Sequence, residues 1–219
     1  MTETATPEVT GRIYGGESAA ERVSRQRRQF MDAGLTLFGT LGYRGTSVRA
    51  LCREAGLIDR YFYKNFRDTE DLLVAVYEEQ FDLVEASLLA AIAEHPIEAG
   101  VELTVHAGLN AFFGAFEDAR VARVCLLEVL GVSPRVDSVY LSRIRRFASL
   151  MVSLVQEQAR AALISDDELQ MMSVGLVGAI SQSGVHWLLS DYALPRDTVV
   201  RATARIILGA VLAFKGPTP

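Results

Sequence analysis

The most constraining feature of this chain is a pair of short helical patterns joined by a tight turn, at residues 46–66. Ser47 offers a hydroxyl that can accept a hydrogen bond from a free backbone N–H in the first turn of a helix. Apolar residues then recur at helical spacing, and Gly56 supplies the positive φ at which helices often end. The apolar pattern resumes with Phe62 and Phe66, one turn apart. The stretch therefore predicts two helices that cross at the glycine and share one core.

The outward face of the second of these helices is basic and aromatic. It carries Arg60, Tyr63 and Lys64, with Asp59 and Tyr61 beside them. In a helix-turn-helix the second helix enters the DNA major groove, where such side chains meet bases and phosphates. The spacing alone also fits an ordinary helical hairpin, and the basic, aromatic face favours the DNA-binding interpretation.

Residues 55–73, AGLIDRYFYKNFRDTEDLL, resemble the signature of the tetracycline-repressor (TetR) family of bacterial transcription regulators. The motif covers about residues 25–75, and the remainder is similar in length and helical pattern alone. The resemblance implies a DNA-binding head and a helical body that binds an effector and dimerises. The residues that carry it are Ala55, Gly56, Leu57, Phe62, Tyr63, Phe66, Glu70 and Leu72, preceded by Gly42, Tyr43, Thr46, Ser47 and Val48.

Three positions depart from the family pattern. Ile58 stands where a helix-capping Ser is usual, Arg60 where Gly is common, and Thr69 where a Lys often meets phosphate. We expect Asp59 to take over the cap of the second helix and Thr69 to cap the helix that follows. These departures leave the fold prediction unchanged and bear on the individual DNA contacts.

The sequence has no alternating β pattern, so we predict an all-α fold in which a three-helix head precedes a larger helical body. Residues 1–18 are expected to be a disordered tail and residues 19–67 the helix-turn-helix DNA-binding domain. Residues 68–219 are expected to form the effector-binding and dimerisation domain. A long fourth helix, which Pro96 ends, connects the two.

Charge is distributed unevenly along the chain. The formal net charge is −5, which by itself argues against a nucleic-acid partner. Residues 20–67, however, hold ten Arg or Lys against four Asp or Glu, and residues 68–219 hold eleven against twenty. A positive segment on an acidic body is the pattern expected of a DNA-binding head.

Cysteine usage indicates a reducing compartment. Cys52 and Cys125 lie inside helical patterns without paired spacing, which predicts two small buried thiols rather than a disulfide or a metal site. Residues 1–17 contain no apolar run typical of a signal peptide, so a cytoplasmic location is expected.

The chain shows no catalytic or metal-binding motif. His95, His106 and His186 are its three histidines, and no two of them have the spacing of metal ligands. A phosphate-binding glycine loop, a nucleophile elbow and a cysteine cluster are also missing. The sequence therefore predicts no enzyme activity, no cofactor and no metal.

Residues 169–190 contain no formal charge and approach the length of a membrane span. Gln182 and His186 would be costly in lipid, so we predict a buried helix instead. Small residues on this helix permit close approach, and the resemblance implies a four-helix dimer interface with the last helix. The alternative is that both helices complete the monomer core. The predicted interface residues are Gly175, Gly178, Ala179, Ile207, Leu208, Val211 and Leu212.

A ligand pocket is predicted around the fifth helix. His106, Asn110 and Phe113 recur at turn spacing on an otherwise apolar helix, and their polar groups need partners in the core or on a ligand. Taken singly, each of these residues is explained as well by core packing. The other predicted lining residues are Cys125, Glu128, Met151, Gln182 and Trp187.

Together these features predict a homodimeric, ligand-responsive regulator, a repressor that a small and largely apolar molecule releases from a palindromic double-stranded DNA operator. No membrane partner is expected. The competing hypothesis is an all-α ligand-binding or interaction protein without operator binding. The predicted DNA-contacting residues are Thr46, Ser47, Arg49, Asp59, Arg60, Tyr61, Tyr63, Lys64, Asn65 and Thr69.

Overall fold

The computed structural model describes residues 18–161 and 163–213, and within this part every regular element is helical. The predicted all-α fold is therefore confirmed. A single 3-10 turn, Ile97–Ala99, interrupts the series. The helices are α1 (Ala19–Thr40), α2 (Val48–Ala55), α3 (Asp59–Asn65), α4 (Thr69–Glu94), α5 (Val101–Ala115), α6 (Ala119–Leu126), α7 (Pro134–Ala161), α8 (Asp166–Leu189) and α9 (Arg196–Ala213).

The first three helices enclose an aromatic core. Phe30 of α1 packs edge-on against Phe62 of α3, with ring centroids 5.3 Å apart, and Leu51 of α2 is fully buried. Gly56 ends α2 in the left-handed region at φ 65°, and its N–H bonds back to the carbonyl of Arg53. The glycine turn and the crossing of α2 and α3 are confirmed.

Two of the expected helix caps are wrong. Ile58 occupies the cap position of α3 without a side-chain bond, and Asp59 lies inside the helix, where its carboxylate accepts from the N–H of Arg60 at 2.8 Å. At α4 the cap is Asp68, which accepts from the N–H of Asp71 at 2.7 Å. A carboxylate one residue before Thr69 already meets the free N–H groups, so the threonine becomes the first helical residue.

Helix α4 belongs to both parts of the molecule. Its first turns pack on α1, where a Cβ built at Gly34 would lie only 3.0 Å from Cγ2 of Val76. Its later turns bury Phe81, Val84 and Leu88 among the body helices. We therefore propose that the division between head and body lies within α4 rather than ahead of it at residue 68.

Ion pairs tie α7 to α4 along its length. Arg135 contacts Asp71 at 2.9 Å, close to the head. Farther along, Arg143 contacts Asp82 at 2.6 Å. Arg146 contacts the buried carboxylate of Glu85, also at 2.6 Å. These three ion pairs therefore join α7 to α4.

The backbones of α1 and α6 approach closely at Gly39. A Cβ at this glycine would lie 2.5 Å from Cβ and 2.6 Å from Cα of Arg120, so Gly39→Ala must push the two helices apart. We expect the free energy of unfolding, measured in urea, to fall by about 1–3 kcal/mol. Gly108→Ala is the matched control, because there the nearest atom is the flexible end of Leu88. Equal unfolding midpoints for the two variants would contradict this account of the contact.

The remaining structural expectations concern cysteines and membrane spans. Cys52 and Cys125 are both free and buried, as predicted, and burial raises the pKa of each thiol. Among the described residues, no helix has the length and hydropathy needed to cross a membrane. The predicted tail at residues 1–18 lies almost entirely outside the described residues.

Candidate functional site

Helix α3 presents its polar face to solvent on the head. Arg60, Tyr63 and Lys64 are exposed, with Tyr63 61% exposed although its ring packs edge-on against Phe62. Arg49 on α2 is also exposed. These side chains belong to the predicted DNA-contacting set and are exposed to a partner.

The other predicted DNA-contacting residues already serve the fold. The Thr46 hydroxyl is buried and donates to the carbonyl of Gly42 at 2.8 Å, while that of Ser47 caps α2. Asn65 donates its amide to the carbonyl of Tyr61, itself half-buried against the core. Asp59 and Thr69 begin their helices, as described above.

Arg27 is a positioning residue that the sequence did not reveal. Its guanidinium stacks over the ring of Phe66, 4.4 Å from the centroid, and donates to the carbonyl of Asn65 at 3.1 Å. The contact ties the end of α3 to α1 across 38 residues. A basic residue on α1 would otherwise be assigned to phosphate, and nothing in the local pattern separates the two roles.

The body contains an apolar cavity of about 100 Å³ between α4, α5, α7, α8 and α9. Phe81 and Ile92 both line it and are eleven residues apart on α4, so the lining extends for about 16 Å. The volume is below the roughly 150 Å³ of a cavity that admits benzene. The cavity is therefore long and narrow. Its walls include Leu88, Phe112, Phe147, Leu150, Val177 and Val211.

Only Met151 of the predicted ligand-binding residues lines this cavity. His106 and Asn110 face a shallower groove on the other side of α5, together with Asp197 and Arg201 of α9. Successive residues of a helix are rotated by about 100°. Because Thr104 and Gly108 face the cavity, His106 and Asn110 point to the other side of α5. His106 and Asn110 therefore do not line this cavity, and their part in ligand binding stays a prediction.

The other predicted lining residues also lie elsewhere. Phe113 and Trp187 pack edge-on with centroids 6.0 Å apart, and the indole N–H donates to the carbonyl of Leu194. Cys125 is buried in the core, and Gln182 is exposed on the outer side of α8. These residues do not line the cavity.

Glu128 joins the body to the head. Its carboxylate accepts from the backbone N–H of Tyr43 at 2.7 Å, just beyond α1, and from Nε of Arg123 at 2.9 Å. From the sequence we predict that Glu128 lines the ligand pocket. In the structure it lies at the junction with the head, where its partner Tyr43 is 85 residues away in the sequence. No local pattern signals such a contact.

The outer faces of α8 and α9 include small and apolar residues. Gly175 and Gly178 are exposed, with no neighbouring atom within 4 Å of a Cβ built at either, and Ala179 is half-buried. On α9, Leu212 is exposed and Leu208 half-buried. Ile207 and Val211 line the cavity instead of the outer face, and their predicted place in the interface stays a prediction.

The hydroxyl of Tyr77 is buried at the centre of α4 and has no hydrogen-bond partner among the described residues. Burial raises its pKa far above the ordinary value. We expect Tyr77→Phe to raise the free energy of unfolding by about 1–3 kcal/mol, because it removes an unsatisfied polar group. Tyr192→Phe is the control with the opposite sign, since that hydroxyl donates to the carbonyl of Phe116 at 2.9 Å. Destabilisation by Tyr77→Phe would show that the hydroxyl has a partner in solution.

A helix-turn-helix head with an exposed basic helix, joined by one continuous helix to a body with an apolar cavity, defines a class of DNA-binding regulators. The family model for bacterial regulatory proteins of the tetR family matches residues 30–76, which cover the helix-turn-helix and the start of α4. The head of this chain is therefore similar to the DNA-binding heads of TetR-family transcriptional regulators. The family and the matched relatives are regulators rather than enzymes.

Similarity to known proteins extends beyond the head. The HTH-type transcriptional activator FasR of Mycolicibacterium smegmatis is 22% identical over 203 residues, which cover 91% of this chain and 90% of the relative. The structure of the fatty acid degradation regulator FadR from Bacillus halodurans aligns with a TM-score of 0.71 and 19% identity, covering 84% of this chain and 95% of that one. FadR from Bacillus subtilis, in complex with stearoyl-CoA, aligns with a TM-score of 0.70 and 17% identity over 82% and 96%. These structures share the fold of most of this chain.

Proposed function

We propose that this protein is a homodimeric repressor that releases a palindromic operator when an apolar effector enters the cavity of the body. The observation that carries the proposal is the course of α4. One helix packs against α1 in the head through Leu72 and Val76 and lines the cavity through Phe81 and Leu88. A change in the width of the cavity is therefore passed to the head without an intervening joint.

The shape of the cavity favours a long acyl chain as the effector. The lining is apolar and about 16 Å long, which suits a linear hydrocarbon better than a compact ring system. The similar FadR of Bacillus subtilis is seen with stearoyl-CoA, which carries such a chain. We therefore place the effector of this chain among long-chain acyl compounds.

The small volume of the cavity explains how such a ligand would act. A cavity of about 100 Å³ cannot hold a long chain, so the ligand must favour a wider state in which α4 and α7 separate. Their ion pairs, such as Arg143 with Asp82, hold the narrow state. A ligand shifts the equilibrium between two conformational states only when it binds one state more tightly than the other. An acyl chain would do so here, because the narrow state has no room for the chain.

The proposal is tested by selecting operator fragments from genomic DNA and titrating the complex with hexadecanoyl-CoA. DNA affinity should fall by about 5–150-fold, the usual scale of allosteric coupling, and operator DNA should weaken acyl-CoA binding by the same factor. Equal acyl-CoA affinity with and without the operator would refute the coupling. A rise in DNA affinity would instead indicate activation, as the name of the FasR relative describes for that protein.

The competing function is a ligand-binding protein whose head no longer binds DNA. Ile58 leaves α3 without a side-chain cap, which is the observation in its favour. Failure to select any DNA fragment, with acyl-CoA binding intact, would support it.

A further inference from the structure

The Ser173 hydroxyl of α8 lines the cavity without the hydrogen bond that the Ser183 hydroxyl makes on the same helix. Ser173 of α8 is 2% exposed and lines the cavity. By contrast, Ser183 and Ser190 donate to the carbonyls of Ala179 and Trp187, at 2.9 and 3.0 Å. No bond of this kind joins the Ser173 hydroxyl to any described residue. A hydroxyl that lines an apolar cavity without a protein partner is unfavourable, so the cavity lacks an acceptor for it.

The other polar groups of the cavity are less available as donors. The Thr104 hydroxyl donates to the carbonyl of Gly100 at 3.2 Å. Arg143 is paired with Asp82 at 2.6 Å and lies 3.8 Å from Glu85. Ser181 lines the cavity too, but it is half-buried, so water can satisfy its hydroxyl without a ligand. Ser173 is therefore the one buried donor among the described lining residues that remains unused.

We propose that Ser173 donates a hydrogen bond to the carbonyl oxygen of an uncharged acyl group, a thioester or ester, whose hydrocarbon chain extends along the cavity toward Phe81 and Phe147. This inference rests on the proposed function, and it assigns a residue that determines specificity for the acyl oxygen. The Ser173 hydroxyl is a single neutral donor, and the acyl carbonyl oxygen is a neutral acceptor that suits it. A free carboxylate would need a counter-charge in the apolar interior, where the cation of Arg143 is already bound by acidic partners.

The test compares two ligands that differ only in the acyl carbonyl group, which one of them replaces with a methylene. Hexadecanoyl-CoA has the acyl carbonyl, whereas the thioether S-hexadecyl-CoA has the same chain and the same CoA moiety without it. The wild-type protein should bind the thioester roughly 3- to 10-fold more tightly, the scale of one net hydrogen bond. Ser173→Ala should remove this preference by weakening thioester binding alone. The variant should fold, because the hydroxyl has no partner in the protein to lose.

Isothermal titration calorimetry with Ser183→Ala as the matched control separates the outcomes. The control removes a hydroxyl from the same helix, but one already bonded to Ala179, so it should keep the wild-type preference. Equal weakening of both ligands by Ser173→Ala, or no weakening of either, would overturn the role of Ser173 while leaving the proposed function intact. If the wild-type protein binds neither ligand, both this inference and the proposed effector class are overturned.

Discussion

Operator binding is expected to weaken roughly a thousandfold when salt is raised from about 50 to about 200 mM, the response of a protein with six phosphate contacts. Arg49, Arg60 and Lys64 are exposed on each head, and two heads in a dimer supply six such cations. Each neutralised phosphate releases condensed counterions, so log K falls by about 0.9 per contact for each unit of log salt. Fluorescence anisotropy of a labelled operator over a salt series measures this slope.

Lys64→Ala should reduce the slope by about 1.8, because the dimer loses two contacts. Arg145→Ala is the matched control: this arginine is also exposed but lies on α7 in the body, and the slope should not change. If Lys64→Ala shows the same slope of log K against log salt as the wild-type protein, α3 does not contact the phosphates and the proposed DNA-binding face is wrong.

Gly178→Arg is expected to split the dimer and to weaken operator binding by about a hundredfold to ten-thousandfold. Two linked heads bind a palindrome with an avidity of this size, which separate heads lose. Apart from the adjacent residues of α8 itself, no atom lies within 4 Å of a Cβ at Gly178, so the substitution should leave the subunit folded. Across a two-fold axis, however, it would bring two new charges together.

Sedimentation should then give a species of 24.0 kDa, the mass of one chain. Ser87→Arg is the control, because Ser87 is exposed on α4, away from the outer faces of α8 and α9. A Gly178→Arg protein that sediments at twice this mass would place the interface on another surface.

The head was predictable because its determinants are local. Gly56 fixes the turn through its own backbone conformation, and Ser47 caps α2 through a neighbour three residues away. Where two candidates stood side by side, as Asp68 and Thr69 do, sequence could not choose between them. Helix boundaries depend on such small differences in capping and are the least predictable feature of a helical chain.

The cavity was less predictable because the sequence of a helix that is apolar on most sides does not show which side faces the cavity. On α9, Ile206, Ile207 and Leu208 are consecutive, yet Ile207 faces the cavity and Ile206 faces solvent. On α5, His106 and Asn110 suggested the inner face only because the rest of the helix is apolar. Which side of such a helix faces inward is decided by its neighbours in space, and a single sequence does not record them.

The length of α4 turns a small change of angle into a change of register on DNA. Its 26 residues make a rod of about 39 Å. A tilt of about 5° about the cavity end moves the other end by about 3 Å, close to the 3.4 Å rise between successive nucleotides of one strand. In a symmetric pair the two displacements add, so each recognition helix would face the wrong phosphate before any contact within the head had changed.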